Sequence, residues 1–362
     1  MDWYTQLDEQ VSGCLPELNM TADEPLSRHT SFRIGGPARR MAFPAGEEQL
    51  ARLMELAEAC AARTVVIGNG TNLLFPDEGL DALVINTSAM NGLEMLEGGR
   101  IRAEAGVSLA RLADFACRNF LAGLEFAHGI PGSLGGAVCM NAGAYDGEMK
   151  QVLESVTAWF PGEGIRTLAA EELELSYRRS LFTRRSDGVV LSAVVSLQPG
   201  DPEIIRERMR ELMQRRRNTQ PLEFPSAGST FKRPVGHFAG GLIQQCGLKG
   251  LTVGGAQVSE KHAGFIINIG GATFADVTEL IRQVQQRVEA ETGVLLEPEV
   301  KIIRCRERSL RGDPHHFRPF RSGKEQSRLL SGGHGLLCDR QYAGGHDAEI
   351  RRVLRCRHGR AL

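Results

Sequence analysis

Absences narrow this 362-residue sequence before any motif is read. No apolar run approaches the ~18 residues of a membrane span, so no insertion into a bilayer is expected. The opening MDWYTQLDEQ has neither the basic cluster nor the apolar stretch of a signal peptide, and a cytoplasmic location is expected. The 8 cysteines never fall into a CxxC spacing, which argues against a zinc site or a redox pair and fits buried, reduced thiols. Repeats at the 20- to 50-residue periods of solenoids are missing. A formal net charge of −1 gives no overall basic field, and no nucleic-acid partner is expected.

What is present describes a globular chain of more than one domain, since a domain usually holds about 100–200 residues. Apolar residues make up 42% and charged residues 24%, enough to bury a sizeable core. Glycine is the outlier: 42 residues is well above the usual ~7%. The glycines cluster without a three-residue repeat, which excludes collagen and points to close approach of backbone to a ligand. Charge is uneven, with 12 Lys+Arg against 6 Asp+Glu in residues 307–362. That segment also holds five of the nine histidines and few periodic apolar positions, and reads as a disordered basic tail. The irregular spacing of His315, His316, His334, His346 and Cys338 argues against a metal site there.

Periodicity predicts a βαβ unit over residues 41–70, with Leu50, Leu53, Met54 and Ala57 on the buried helix face. After Gly70 more strand follows, and no helix. A strand at 100–105 leads to a helix capped by Ser108, and residues 122–149 read as a long irregular segment. Residues 152–199 look like antiparallel strands. Asp201-Pro202-Glu203 starts a helix that Asn218 and Pro221 stop. The remainder alternates a helix near 238–246, the strand GFIINI, a helix from Phe274 and the strand VLLEPEVKII.

Three groups of residues could carry chemistry. Gly68-Asn69-Gly70-Thr71-Asn72 follows a strand and can form an anion-binding nest of backbone N–H groups. Leu73 stands where a dinucleotide fingerprint needs glycine, so a Rossmann site is disfavoured. The second stretch, Gly129-Ile130-Pro131-Gly132-Ser133-Leu134-Gly135-Gly136, runs on to Asn141 and Gly143. Two such loops favour a dinucleotide, although a structural glycine loop is the competing reading. The third group is dispersed: Tyr177-Arg178-Arg179-Ser180-Leu181-Phe182, then Pro225-Ser226-Ala227-Gly228-Ser229-Thr230-Phe231-Lys232, then Glu297-Pro298-Glu299-Val300. Spacing alone cannot bring these together, and each also reads as ordinary polar surface.

Taken in order, HTSFRIGGPA at 29–38, GNGTNLL, GIPGSLGGAVCMNAGAY, YRRSLF, PSAGSTFK, GLKGLTVGGAQVSEKHAGFIIN and LEPEVKII closely resemble the UDP-N-acetylenolpyruvoylglucosamine reductases, over about residues 25–304. The short segment between Phe182 and Pro225 is similar to the subclass that lacks an extra tyrosine-bearing loop. The resemblance implies an α+β fold: a two-subdomain FAD-binding domain of the vanillyl-alcohol oxidase type plus a small α/β substrate-binding domain. It implies boundaries at 1–90, 91–199 and 200–306, followed by the tail. It also implies non-covalent FAD, NADPH as hydride donor and UDP-N-acetylglucosamine enolpyruvate as substrate. Carried over by motif, Gly68, Asn69, Gly70, Thr71, Asn72, Gly129, Pro131, Gly132, Ser133, Gly135, Gly136, Asn141 and Gly143 hold FAD. Arg178 and Glu299 act on the substrate carboxylate, Ser229 donates a proton, and Tyr177, Lys232 and His262 bind substrate. His262 stands where some relatives have glutamine. A rival implied by the same fold is an FAD oxidase acting on another small substrate, with His128 as the residue to examine for a covalent flavin link. A non-catalytic relative is the other rival, and Arg178, Ser229 and Glu299 argue against it.

Overall fold

Amphipathic stripes and alternating runs settle into three main sheets, with three two-stranded ones beside them, in a computed structural model that describes residues 1–305. The tail readings at 307–362 lie outside the described residues. The first sheet draws on β1 (Asn19–Pro25), β2 (Pro37–Phe43), β3 (Thr64–Ile67) and β5 (Leu80–Asn86), with the short β4 (Leu73–Leu74) apart from it. Its order is β1-β2-β5-β3, with β5 parallel to both β2 and β3. The expected βαβ unit is therefore real, but β5 is inserted between its two strands. Helix α1 (Trp3–Cys14) and helix α2 (Glu47–Ala59) cover this sheet, α2 through Leu50, Leu53, Met54 and Ala57.

The second sheet is antiparallel throughout: β6 (Leu93–Leu96), β7 (Arg100–Glu104), β8 (Leu153–Phe160), β9 (Gly164–Ala169) and β10 (Val189–Ser196), in the order β9-β8-β10-β7-β6. Helix α3 (Leu109–Arg118) packs on it and is capped as expected, Ser108 Oγ accepting from the Arg111 amide. The stretch expected to be irregular contains helix α4 (Leu134–Met140), whose Leu134, Ala137 and Val138 are buried. Helix α5 (Leu181–Arg184) is a single turn capped by Ser180. The long helix α6 (Pro202–Thr219) contributes Ile205 and Met209 to the core of this second sheet.

The third sheet runs β11-β14-β13-β12, from β11 (Ser226–Ser229), β12 (Thr252–Val253), β13 (Ala256–Val258) and β14 (Phe265–Asn268). Helix α7 (Ala239–Gln245) and helix α8 (Phe274–Thr292) complete its core, α8 through Val277, Leu280, Ile281, Val284 and Val288. The HTSFRIGG motif ties this unit to the first: Phe32 is buried in the third core, its carbonyl accepts from Asn268 Nδ2 at 3.1 Å, and Ser31 Oγ donates to Ser226 O at 2.6 Å. The expected strand VLLEPEVKII shrinks to β15 (Lys301–Ile302), which returns to pair in parallel with β4. Pro298 has no N–H to give a ladder, and residues 297–299 instead lie along the chain at 230–232.

Candidate active site

The dispersed third group converges through backbone bonds. Lys232 N–H donates to Glu297 O at 2.8 Å and Glu299 N–H donates to Thr230 O at 2.8 Å, which sets Glu299 beside the end of β11, where Ser229 stands. Tyr177 and Arg178 occupy the corner of a tight turn closed by Ser176 and Arg179, with Arg178 in left-handed backbone at φ +54°. For a non-glycine residue that conformation costs roughly 1–2 kcal/mol. It persists because the turn is anchored on both sides. Ser180 Oγ donates to Cys139 O at 2.7 Å after it, and Asn141 Nδ2 donates to Ser176 O at 3.1 Å before it.

Arg178 Nε donates to Glu299 Oε1 at 2.6 Å, and its Nη2 lies 3.4 Å from Gly143 O. Both side chains are largely enclosed, at 20% and 13% exposure. Burial raises the Glu299 carboxyl above its ordinary pKa, against the opposing pull of Arg178 and Lys232. Tyr177, Arg178, Ser229, His262 and Glu299 line one cavity of about 390 Å³. His262 Nδ1 accepts from Gly264 N–H at 3.1 Å, so the neutral ring carries its proton on Nε2. Burial also lowers the His262 pKa, keeping the ring neutral.

Lys232 stands at the edge of this group, near enough for its charge to act on Glu299. Its ammonium pairs with Glu297 and does not line the cavity, while Arg233 and Lys261 do. Sequence reasoning also missed Phe238, which is 65% exposed with the Arg233 guanidinium 3.8 Å from its ring centre. Nothing in the residues KRPVGHF distinguishes a cavity rim from a surface loop. The contact of Tyr177 Oη with Arg233 N–H at 3.1 Å exists only in the fold.

The two glycine loops meet. Asn69 Nδ2 donates to Pro131 O at 3.4 Å, and a Cβ on Gly68 would stand 1.9 Å from Ser133 Oγ. Glycine at 68 is therefore required by the protein's own packing. Gly132 and Gly136 differ, since a Cβ at either meets nothing closer than 3.7 Å. The amides of Asn69, Gly70, Thr71, Gly132 and Gly136 donate to no acceptor among the described residues. This donor set suits a diphosphate, which needs several N–H groups on a surface free of side chains. Four of the residues assigned to the cofactor are enclosed by protein. Asn141 is 0% exposed and its amide is occupied by Glu148, Ser176 and the Lys150 N–H. Gly70 and Gly135 are buried, a Cβ at Gly135 standing 3.0 Å from Ala105 Cβ, and the Ser133 hydroxyl is enclosed at 2% exposure. The Asn141 and Ser133 side chains therefore shape the loops, while Gly70 keeps its unused amide in the donor set. His128 has its Nε2 3.5 Å from Asp114 and its Nδ1 enclosed, which does not favour a covalent flavin.

Known proteins resemble this chain over most of its length. The family profile described as UDP-N-acetylenolpyruvoylglucosamine reductase, C-terminal domain, matches residues 220–303, and an FAD binding domain profile matches residues 38–168. A UDP-N-acetylenolpyruvoylglucosamine reductase of Caldanaerobacter subterraneus is 46% identical over 297 residues, covering 82% of this chain and 98% of the relative. One from Agathobacter rectalis is 48% identical, covering 82% and 97%. The crystal structure of the Thermus caldophilus reductase superposes with a TM-score of 0.66 at 37% identity, covering 79% of this chain and 98% of that one.

Proposed function

The chain belongs to the UDP-N-acetylenolpyruvoylglucosamine reductase family, and from that premise we propose how its own residues carry the reaction. It is an FAD-dependent oxidoreductase of α+β fold that reduces UDP-N-acetylglucosamine enolpyruvate to UDP-N-acetylmuramate in peptidoglycan synthesis, with NADPH as donor. The observation that carries the residue assignment is the meeting of Arg178, Ser229 and Glu299 in one cavity.

Asn69, Thr71, Gly132 and Gly136 would hold the FAD diphosphate through backbone amides, supported by their unused N–H groups. Bound FAD supplies the hydride relay between NADPH and the substrate. Hydride arriving at the terminal carbon of the enolpyruvyl ether leaves negative charge on the neighbouring carbon and the carboxylate, as an enolate. Arg178 has Nε committed to Glu299 and keeps Nη1 for the carboxylate oxygens, stabilising the charge as it grows. Ser229 then gives its hydroxyl proton to the enolate carbon, and the alkoxide left behind recovers a proton from solvent. A hydroxyl is a weak acid, but an enolate carbon is basic and position dominates over pKa here. Glu299 orients Arg178 through Oε1, and its raised pKa lets Oε2 share a proton with the enolate. Arg233 and Lys261 on the rim are better placed than Lys232 for the nucleotide phosphates.

The test is anaerobic. NADPH should bleach the flavin of the purified protein, and the enolpyruvyl sugar nucleotide should then restore its colour. Colour restored only by oxygen would favour the oxidase reading, against which the enclosed Nδ1 of His128 already weighs.

A further inference from the structure

Helix α6 carries a run of arginines, and most are paired along its surface. Arg206 pairs with Glu203, Arg210 with Glu207, and both Arg208 and Arg215 with Glu211. Arg216 and Arg217 have no such pair among the described residues, and of the two Arg216 is the one taken out of water. It is half-buried, and among the described residues no carboxylate or hydrogen-bond acceptor engages its guanidinium. Burial lowers its pKa from the ordinary guanidinium value, and the one opposing influence is the phenol of Tyr145. The favourable field at a helix C-terminus does not account for this placement. Arg217 sits in the same last turn, gains the same field and stays exposed in water.

The place where Arg216 is held is informative. A Cβ built on Gly129 would meet Arg216 Cδ at 3.4 Å, Met213 Cε at 3.7 Å and Arg216 Nη1 at 3.9 Å. The end of α6 therefore lies against the start of the second glycine loop, a few residues from the unused amides of Gly132 and Gly136. Leaving a cation desolvated and unpaired is unfavourable unless an anion completes it.

We propose that Arg216 is an anion-binding residue for the diphosphate of FAD, supplying from α6 the positive charge that the glycine loops lack. The inference rests on the reading that these loops hold FAD. It gives α6 a task beyond packing: a helix that follows the second sheet in sequence reports back on the cofactor.

The experiment measures the FAD dissociation constant of the full-length holoprotein from flavin fluorescence on dilution, at low and high salt, for wild type, Arg216→Met, Arg216→Lys and Gly132→Val. Arg216→Met should release FAD roughly 10- to 100-fold more readily, the worth of a charged hydrogen bond. It should also flatten the salt dependence, with Arg216→Lys between it and wild type. With saturating FAD its thermal midpoint should stay near wild type, which separates cofactor binding from a folding defect. An unchanged dissociation constant for Arg216→Met, alongside loss of flavin in Gly132→Val, would overturn the proposal and leave the loop assignment standing. Full retention of flavin by both variants would instead remove the loop assignment itself. A raised KM for NADPH with unchanged FAD affinity would transfer Arg216 to the other dinucleotide and likewise overturn the proposal.

Discussion

On the proposed mechanism Ser229 acts only in the second half of the cycle, so Ser229→Ala should divide the halves. Bleaching by NADPH should keep nearly its normal rate, while reoxidation by the enolpyruvyl sugar slows about 10²- to 10⁴-fold, the usual worth of a positioned proton donor. Stopped-flow absorbance reads both steps, and equal slowing of the two would remove Ser229 from the proton-donor role. Ser229→Cys should recover part of the loss. At Glu299 the prediction concerns pH. Burial raises the folded pKa above the ordinary 4.5, so its contribution to stability is complete below that value and is lost as pH rises through the folded pKa. Glu299→Gln keeps an acceptor for Arg178 and cannot ionise. Its thermal midpoint should therefore hold up better than wild type as pH rises above 4.5, while reoxidation slows roughly 10²- to 10³-fold. A midpoint that tracks wild type across that range would place the carboxyl in water. These residues were legible as types in YRRSLF, AGST and EPEV. Their meeting was not, because the bonds joining 230–232 to 297–299 run between backbone atoms and leave no trace in side-chain pattern.

Glycine loops and short helices show where local reading succeeds and fails. The stripes of α2, α3, α6 and α8 are periodic and were readable as helices. Helix α1 was not, since it buries only Leu7 and Val11, a stripe too narrow to stand out. Helix α4 was hidden by Gly135 and Gly136, whose low helix propensity is overcome by burial of Leu134, Ala137 and Val138. The same element separates two kinds of glycine by experiment. Gly68→Ala should lower the thermal midpoint by several degrees, because its Cβ meets Ser133 Oγ at 1.9 Å. Gly132→Val has room in the protein, where a Cβ meets Thr71 Oγ1 only at 3.8 Å, and should fold normally yet emerge colourless. Calorimetry together with the flavin absorbance of each purified variant tests the pair. Yellow Gly132→Val protein would mean that the diphosphate lies elsewhere.

At the scale of the whole molecule, the end of the described chain returns to its beginning. Lys301 N–H donates to Asn72 O at 3.0 Å, Ile303 N–H donates to Leu74 O at 2.9 Å, and Asn72 Nδ2 donates to Glu299 O at 3.1 Å. Ile302 packs on the third core and Ile303 on the first. A chain ending at residue 300 should therefore melt several degrees below one ending at residue 305 and retain less FAD, as differential scanning fluorimetry and flavin content will show. Equal behaviour would reduce β15 to a surface strand. No reading of local pattern predicts this clasp, because two residues are too short to carry a period. The clasp also sets an order in time. Asn72 and Glu299 are 227 positions apart, and a ribosome adding roughly 5–20 residues per second needs about 10 to 45 seconds to travel between them. During that interval the first glycine loop exists without the segment that steadies it. A nascent chain stalled before Glu299 holds both glycine loops and Ser229 but not the carboxylate that meets Arg178, so on the proposed mechanism reductase activity waits until Glu299 has been made.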